Sequence, residues 1–210
     1  MNYDLSHLTQ SKEQDVWGPV QDDEALLLFA TIKVMKINTV FEIGGLNGYS
    51  ATNFLKAVGL NGKVFTCDIN PIEKIADNHI VIHKDVYNLT AEDLHNTQID
   101  LIFFDCHEYE AQLTAFNKLL EMSLFKDKGV IALHDTNTHP PFPSNFHRLN
   151  QGKLTPQGYV HQPAERQLVN YFAELGYHAL CFHTNIEDHN EQLPFRHGIT
   201  LMKKFEPLLV

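Results

Sequence analysis

The residues best placed to do chemistry begin with Val40-Phe41-Glu42-Ile43-Gly44-Gly45-Leu46-Asn47-Gly48-Tyr49-Ser50: an acid on an apolar run, then glycines at 44, 45 and 48. A glycine-rich turn between a strand and a helix lets a ligand approach the backbone, because no Cβ stands in the way. The Gly-x-Gly-x-x-Gly spacing that cradles a pyrophosphate is not met, and the carboxylate of Glu42 would repel one. The alternative is a structural turn with no ligand.

An acid before such a turn suits a nucleoside cofactor with a cationic amino group. S-adenosylmethionine carries one, together with its sulfonium. The N-terminus of the helix opening at Tyr49 can meet the cofactor's carboxylate, aided by Ser50. Asp68, followed by Ile69, closes a second apolar run 20 residues beyond Gly48, where an acid can take both hydroxyls of a ribose. Asp85-Val86, after a third run, can flank an adenine.

Two further acids end apolar runs. Ile99-Asp100-Leu101-Ile102-Phe103-Phe104 leads into Asp105-Cys106-His107-Glu108, and Val130–Leu133 leads into His134-Asp135-Thr136-Asn137. Oxygen ligands from Asp105, Asp135 and Asn137 could hold an octahedral cation such as Mg2+; the same acids could equally cap strands or helices. His107 and His134 titrate in the range useful to a general base, and with Asp135 they form the candidate catalytic set. His139, His147 and His161 fall in a polar stretch and receive no assignment.

These groups need a scaffold that brings strand ends together. The pattern alternates β-rich runs with amphipathic stretches, as in a mostly parallel sheet with helices on both faces. Helices are expected at about 22–36 (apolar stripe Leu26, Leu28, Phe29, Ile32, Met35), 49–58, 110–122 and 164–175. Strands are expected at 39–43, 63–67, 79–83, 99–104, 130–133, 178–182 and 198–203. The order reads α-β-α-β-β-α-β-α-β-α-β-β, with a stunted helix between the second and third strands and an antiparallel pair at the end. In open α/β sheets ligands bind at the carboxyl ends of the strands, where the candidate residues fall. The stretch 136–161 is long enough to be a substrate loop or lid, after an N-terminal segment 1–21.

Composition bounds the partners. The 210 residues suit a single domain, and a net charge of −10 without a basic cluster disfavours nucleic acid. No apolar run approaches the ~20 residues of a membrane span, and no signal-peptide pattern opens the chain. Three scattered cysteines point to reduced thiols and the cytoplasm. A homodimer is compatible with this reading; the sequence does not choose an oligomeric state.

The whole pattern resembles the class I S-adenosylmethionine methyltransferases. Among them it is similar to the small O-methyltransferases related to catechol O-methyltransferase and to macrocin-type sugar methyltransferases. Glu42-x-Gly44-x-x-x-Gly48-Tyr49-Ser50-Ala51 resembles the family's first motif, and Asp68-Ile69-Asn70-Pro71 its acid-x-Asn-Pro. Asp105, His107 and Tyr109-Glu110 resemble its Asp-Gly-x-His-x-Tyr-Glu segment with one residue missing, and Gly129 to Thr136 its Gly-Gly-x-Ile-x-x-His-Asp-Thr strand.

The resemblance implies a Rossmann-like α/β fold with a seven-stranded, mostly parallel sheet of order 3-2-1-4-5-7-6. It implies cofactor contacts from Glu42, Gly44, Gly48, Tyr49, Ser50 and Asp68, with Asp85, Val86, Asp105 and Cys106 lining the site; Gly45 and Ile69 complete the candidate set. Members with a metal hold it by an Asp after the fourth strand and an Asp-Asn pair after the fifth. Here Thr136 stands where Asn is expected, and the lysine base of the catechol enzymes is absent, with Glu108 near its place.

The reading is methyl transfer from S-adenosylmethionine to an oxygen of a small hydroxylated metabolite or sugar, with a divalent cation as an optional aid. The rivals are a nucleotide-binding oxidoreductase, which titration with NAD would reveal, and a non-catalytic S-adenosylmethionine-binding protein, which would show no turnover.

Overall fold

The computed structural model describes residues 3–9, 20–136, 153–155, 158–160, 164–182 and 198–204. A 3-10 turn (Ser6–Thr9) precedes α1 (Asp22–Met35), β1 (Thr39–Ile43), α2 (Tyr49–Val58), β2 (Lys63–Asp68), β3 (His79–His83) and β4 (Ile99–Phe104). Then come α3 (Tyr109–Glu121), β5 (Phe125–Leu133), a small hairpin of β6 (Lys153–Thr155) and β7 (Gly158–Val160), α4 (Ala164–Glu174), β8 (His178–Phe182) and β9 (Ile199–Lys203).

The main sheet runs β3-β2-β1-β4-β5-β9-β8, which is 3-2-1-4-5-7-6 when only its own strands are counted. β1 to β5 pair in parallel, and β9 enters antiparallel between β5 and β8. The expected fold is the observed one. Successive strand residues point to opposite faces, so each central strand feeds two cores. Phe41, Ile102 and Phe104 pack with Phe116 of α3 and Phe172 of α4. Val40, Leu101 and Phe103 pack with Leu28, Phe29 and Ile32 of α1 and Phe54 of α2. Each such side chain, buried fully, contributes roughly 1.5–3 kcal/mol. Parallel strands covered on both faces must read as continuous apolar runs, which is why β1 and β4 stood out in the sequence.

Several expectations are corrected. The α1 stripe is Ala25, Leu28, Phe29 and Ile32; Leu26 is exposed because it falls off that three-and-four spacing, and Met35 is exposed at the last residue of the helix. No helix forms between β2 and β3, and only a 3-10 turn (Val86–Asn88) lies between β3 and β4. β5 begins at Phe125 rather than near 130: its exposed Lys126-Asp127-Lys128 hides the strand from a hydropathy reading, and its register against β4 shifts there. The stretch 136–161 contains the β6–β7 hairpin, and the rest of it beyond Thr136 lies outside the described residues, as do Asn137, His139, His147 and His161. Among the described residues no helix is long and apolar enough to cross a membrane.

Candidate active site

The carboxyl ends of β1, β2 and β4 surround a cavity of about 610 Å3, a size usual for small-ligand sites. Its wall at β1 is the glycine turn. Gly44 sits at φ +87, and a Cβ there would lie 2.5 Å from the Asp105 carbonyl oxygen, so β1 and β4 can close together only with glycine. Gly48, at φ +76, is the N-cap of α2. Asp68, at the end of β2, reaches across to the turn. Its Oδ2 accepts the N–H groups of Gly45 at 3.0 Å and Leu46 at 3.3 Å, and its Oδ1 accepts that of Asn70 at 2.8 Å.

Of the candidate cofactor residues, Gly44, Asp68, Ile69, Asp85, Val86, Asp105 and Cys106 line this cavity. Gly45, Gly48, Tyr49 and Ser50 belong to the turn and the start of α2 but do not line it. Glu42 does not line it either. Its fully buried carboxylate accepts hydrogen bonds from the Ser50 hydroxyl and, at 2.7 Å, from Thr66 Oγ1. Behind these, the Ile75 N–H donates to His79 Nδ1, so His79 Nε2 carries the proton it shares with Thr66 at 3.0 Å. Burial drives the Glu42 carboxyl up to about 8; the two hydroxyls pull it down, and Asp105 and Asp68 add to the rise. Glu42 thus buttresses the turn from behind through Ser50 and Thr66.

The floor lies where β4 and β5 end. His134 is wholly buried, with Nδ1 3.1 Å from Asp105 Oδ1 and Nε2 3.0 Å from Glu24 Oε2 of α1. Burial opposes its protonation, but Asp105, Asp135 and Glu24 outweigh this and raise its pKa well above the usual value. Both nitrogens of His134 are thus engaged between carboxylates, and the residue does not line the cavity.

His107, at φ +57, keeps 37% of its side chain exposed and lines the cavity. Its Nδ1 lies 3.5 Å from both Asp135 Oδ2 and Glu165 Oε1, and its Nε2 4.0 Å from Asp105 Oδ1. Burial disfavours the imidazolium, but Glu165 first, then Asp105 and Asp135, push it up to about 9. At neutral pH this ring donates rather than accepts. Asp135 (φ +55) is raised by burial, against the pull of His134 and His107. Its buried Oδ1 has no hydrogen-bond partner.

Carboxylate oxygens of Asp105 and Asp135, with His134, lie close enough to hold a cation. His134 is committed elsewhere, and the Thr136 hydroxyl accepts from Thr200 Oγ1 at 2.8 Å inside the sheet, so position 136 offers no ligand. The hard oxygens of Asp105 and Asp135 suit a Mg2+-like ion.

Sequence reading missed Glu24, Gln112 and Glu165, all buried, and the cavity-lining Leu46, Asn47, Asn70, Lys84 and Ala111. Glu24 reads as an ordinary helix N-terminal acid, and it does close a capping box with Gln21. Nothing local distinguishes Glu165 from a surface helix residue.

Residues 41–136, rather less than half the chain, match the family model of a methyltransferase domain. Among solved structures, the chain is similar to the S-adenosylhomocysteine-bound methyltransferase of Podospora anserina (15% identity, 96% of this chain and 87% of that one, TM-score 0.60). It is similar as well to a Bacillus cereus O-methyltransferase in complex with S-adenosylhomocysteine (15%, 90% and 84%, 0.56). A third likeness is the O-methyltransferase of tomaymycin synthesis from Streptomyces achromogenes, in complex with S-adenosylmethionine (15%, 90% and 82%, 0.52). No curated protein matches. At these identities the structural likeness shows the fold. With the domain match, residues 41–136 resemble a methyltransferase domain, carried on a fold shared with these methyltransferases.

Proposed function

We propose that the chain, as one methyltransferase domain, transfers the methyl group of S-adenosylmethionine to an oxygen of a small hydroxylated metabolite or sugar. The observation that carries this reading is the charge of the cavity: Asp68, Asp85, Asp105 and Glu108 line it, against Lys84 and His107. Lys84 is already paired with Asp93 at 2.6 Å. An acid-rich cleft draws a cationic sulfonium and repels the phosphates of a dinucleotide, which argues against the oxidoreductase alternative.

Asp68 would take the ribose hydroxyls, Asp85 and Val86 would flank the adenine, and the glycine turn would receive the methionine end. S-adenosylmethionine supplies an electrophilic methyl on a sulfonium. The remaining work falls to the chain: proximity, alignment and removal of the acceptor proton. His107, protonated at neutral pH, orients the acceptor oxygen as a hydrogen-bond donor. Asp135, its carboxyl raised toward neutrality, takes the proton. A divalent ion, if held by Asp105 and Asp135, would orient acceptor oxygens and lower their pKa.

Two structural relatives are O-methyltransferases, which supports oxygen as the acceptor atom. The three cysteines are unpaired, which supports the cytoplasm as the compartment. Calorimetry with S-adenosylmethionine, S-adenosylhomocysteine and NAD tests the donor: binding of NAD alone would end the proposal. Release of S-adenosylhomocysteine over a panel of phenols, sugars and hydroxy acids tests the acceptor, and EDTA treatment of the active mixture tests the ion.

A further inference from the structure

Glu165 stands in the first turn of α4, and its side chain has no exposed surface. Burying a carboxylate is costly unless its partners compensate, and here the partners converge on one neighbour. Oε1 accepts the backbone N–H of His107 at 2.9 Å and lies 3.5 Å from the Nδ1 of the same residue. It also accepts from Gln112 Nε2 of α3, while Oε2 is buried without a hydrogen-bond partner. His107 adopts a left-handed backbone at φ +57, a conformation that a side-chain-bearing residue keeps only when its surroundings hold it there. Glu165 therefore grips a strained residue by both its amide and its ring.

We propose that Glu165 is a positioning residue, holding the backbone and imidazole of His107 on the acceptor side of the cavity and so making α4 part of the methyl-transfer machinery. The proposal rests on the methyltransferase reading of this cavity. A plain structural tie between α4 and α3 would need only Gln112; the amide of a cavity-wall histidine would be superfluous to it. Reach matters more than charge in this arrangement, because the amide must be met by an oxygen at the tip of a three-carbon side chain.

Glu165→Gln keeps an oxygen at that reach and loses the charge, whereas Glu165→Asp keeps the charge and withdraws by one methylene. In 15N-labelled protein, the His107 amide resonance should move further in the Asp variant than in the Gln variant. Turnover of S-adenosylmethionine, with whichever panel acceptor the wild type methylates, should fall by ~10- to 100-fold in Asp and less in Gln. S-adenosylhomocysteine affinity should stay within about twofold in both. An unchanged His107 amide resonance in the Asp variant, or a Gln variant impaired more than Asp, would overturn the proposal. If the wild type binds neither S-adenosylmethionine nor its product, the underlying reading fails by itself, and the amide resonance still decides whether Glu165 holds His107.

Discussion

Glu24 Oε2 lies 3.0 Å from His134 Nε2, joining the first turn of α1 to the end of β5 across 110 residues of sequence. The other Glu24 oxygen accepts the Gly198 N–H at 2.6 Å, at the start of β9. One carboxylate thus ties three elements beneath the candidate active site.

Burial alone would raise the Glu24 carboxyl, but His134, followed by the N–H groups of Gln21 and Gly198, brings it down to about 2. A depressed carboxyl contributes stability above its unfolded pKa, and that stability is lost as pH falls through the folded value. Glu24→Ala leaves His134 paired with Asp105 through Nδ1 but strips its buried Nε2 of the Glu24 carboxylate, and should cost ~1–3 kcal/mol at pH 7. Chemical denaturation of both proteins measures this; a loss below ~1 kcal/mol, the level of an exposed pair, would contradict it.

Glu42 behaves in the opposite sense. Its carboxyl is raised to about 8, so between its unfolded value and 8 the folded chain keeps a proton that the unfolded chain has released. This contribution is full below the unfolded pKa and falls by about 1.4 kcal/mol per pH unit as pH rises through that window. Glu42→Gln mimics the protonated form and should flatten the loss, leaving the variant more stable than wild type at pH 8. Melting curves from pH 5 to 8 decide it, and equal slopes in the two proteins would refute the buried-proton account.

Asp68 should matter to the donor more than to the fold. Asp68→Ala removes the acceptor for two turn amides and for the proposed ribose contact. Hydrogen bonds to a charged group are worth ~1.5–3 kcal/mol, so S-adenosylhomocysteine affinity should fall by about 10- to 100-fold by calorimetry. An unchanged affinity would place the ribose elsewhere.

Gly44→Ala combines a left-handed backbone with a 2.5 Å approach to the Asp105 carbonyl. The penalty should reach about 2–5 kcal/mol, read as a lower denaturation midpoint. Gly59→Ala, at φ +72 and ψ −171 with open space around it, meets a backbone penalty alone and should cost about 1–3 kcal/mol. Equal losses in the two would remove the steric argument.

Strand positions were legible because β1 and β4 are buried on both faces, and the glycine turn because its close approach tolerates no Cβ. Asp68, Asp105 and Asp135 were legible as polar residues at the ends of apolar runs. What escaped was long-range pairing. Glu24 carries the local signature of a helix cap, and Glu165 that of a first-turn acid; only the folded arrangement brings them to His134 and His107. The same limit hid the partners of Glu42, whose position before the glycines suggests a ligand while its side chain turns toward Ser50 and Thr66.

β9 follows β8 in the chain yet lies inside it, against β5. A nascent chain emerging from the ribosome can assemble β1 to β5 early, but the β5 flank stays open, and Glu24 lacks its Gly198 anchor, until residues 198–204 arrive. Donor affinity should therefore switch on late in synthesis, and a version ending at Phe182 should retain helices by circular dichroism while showing no calorimetric response to S-adenosylhomocysteine.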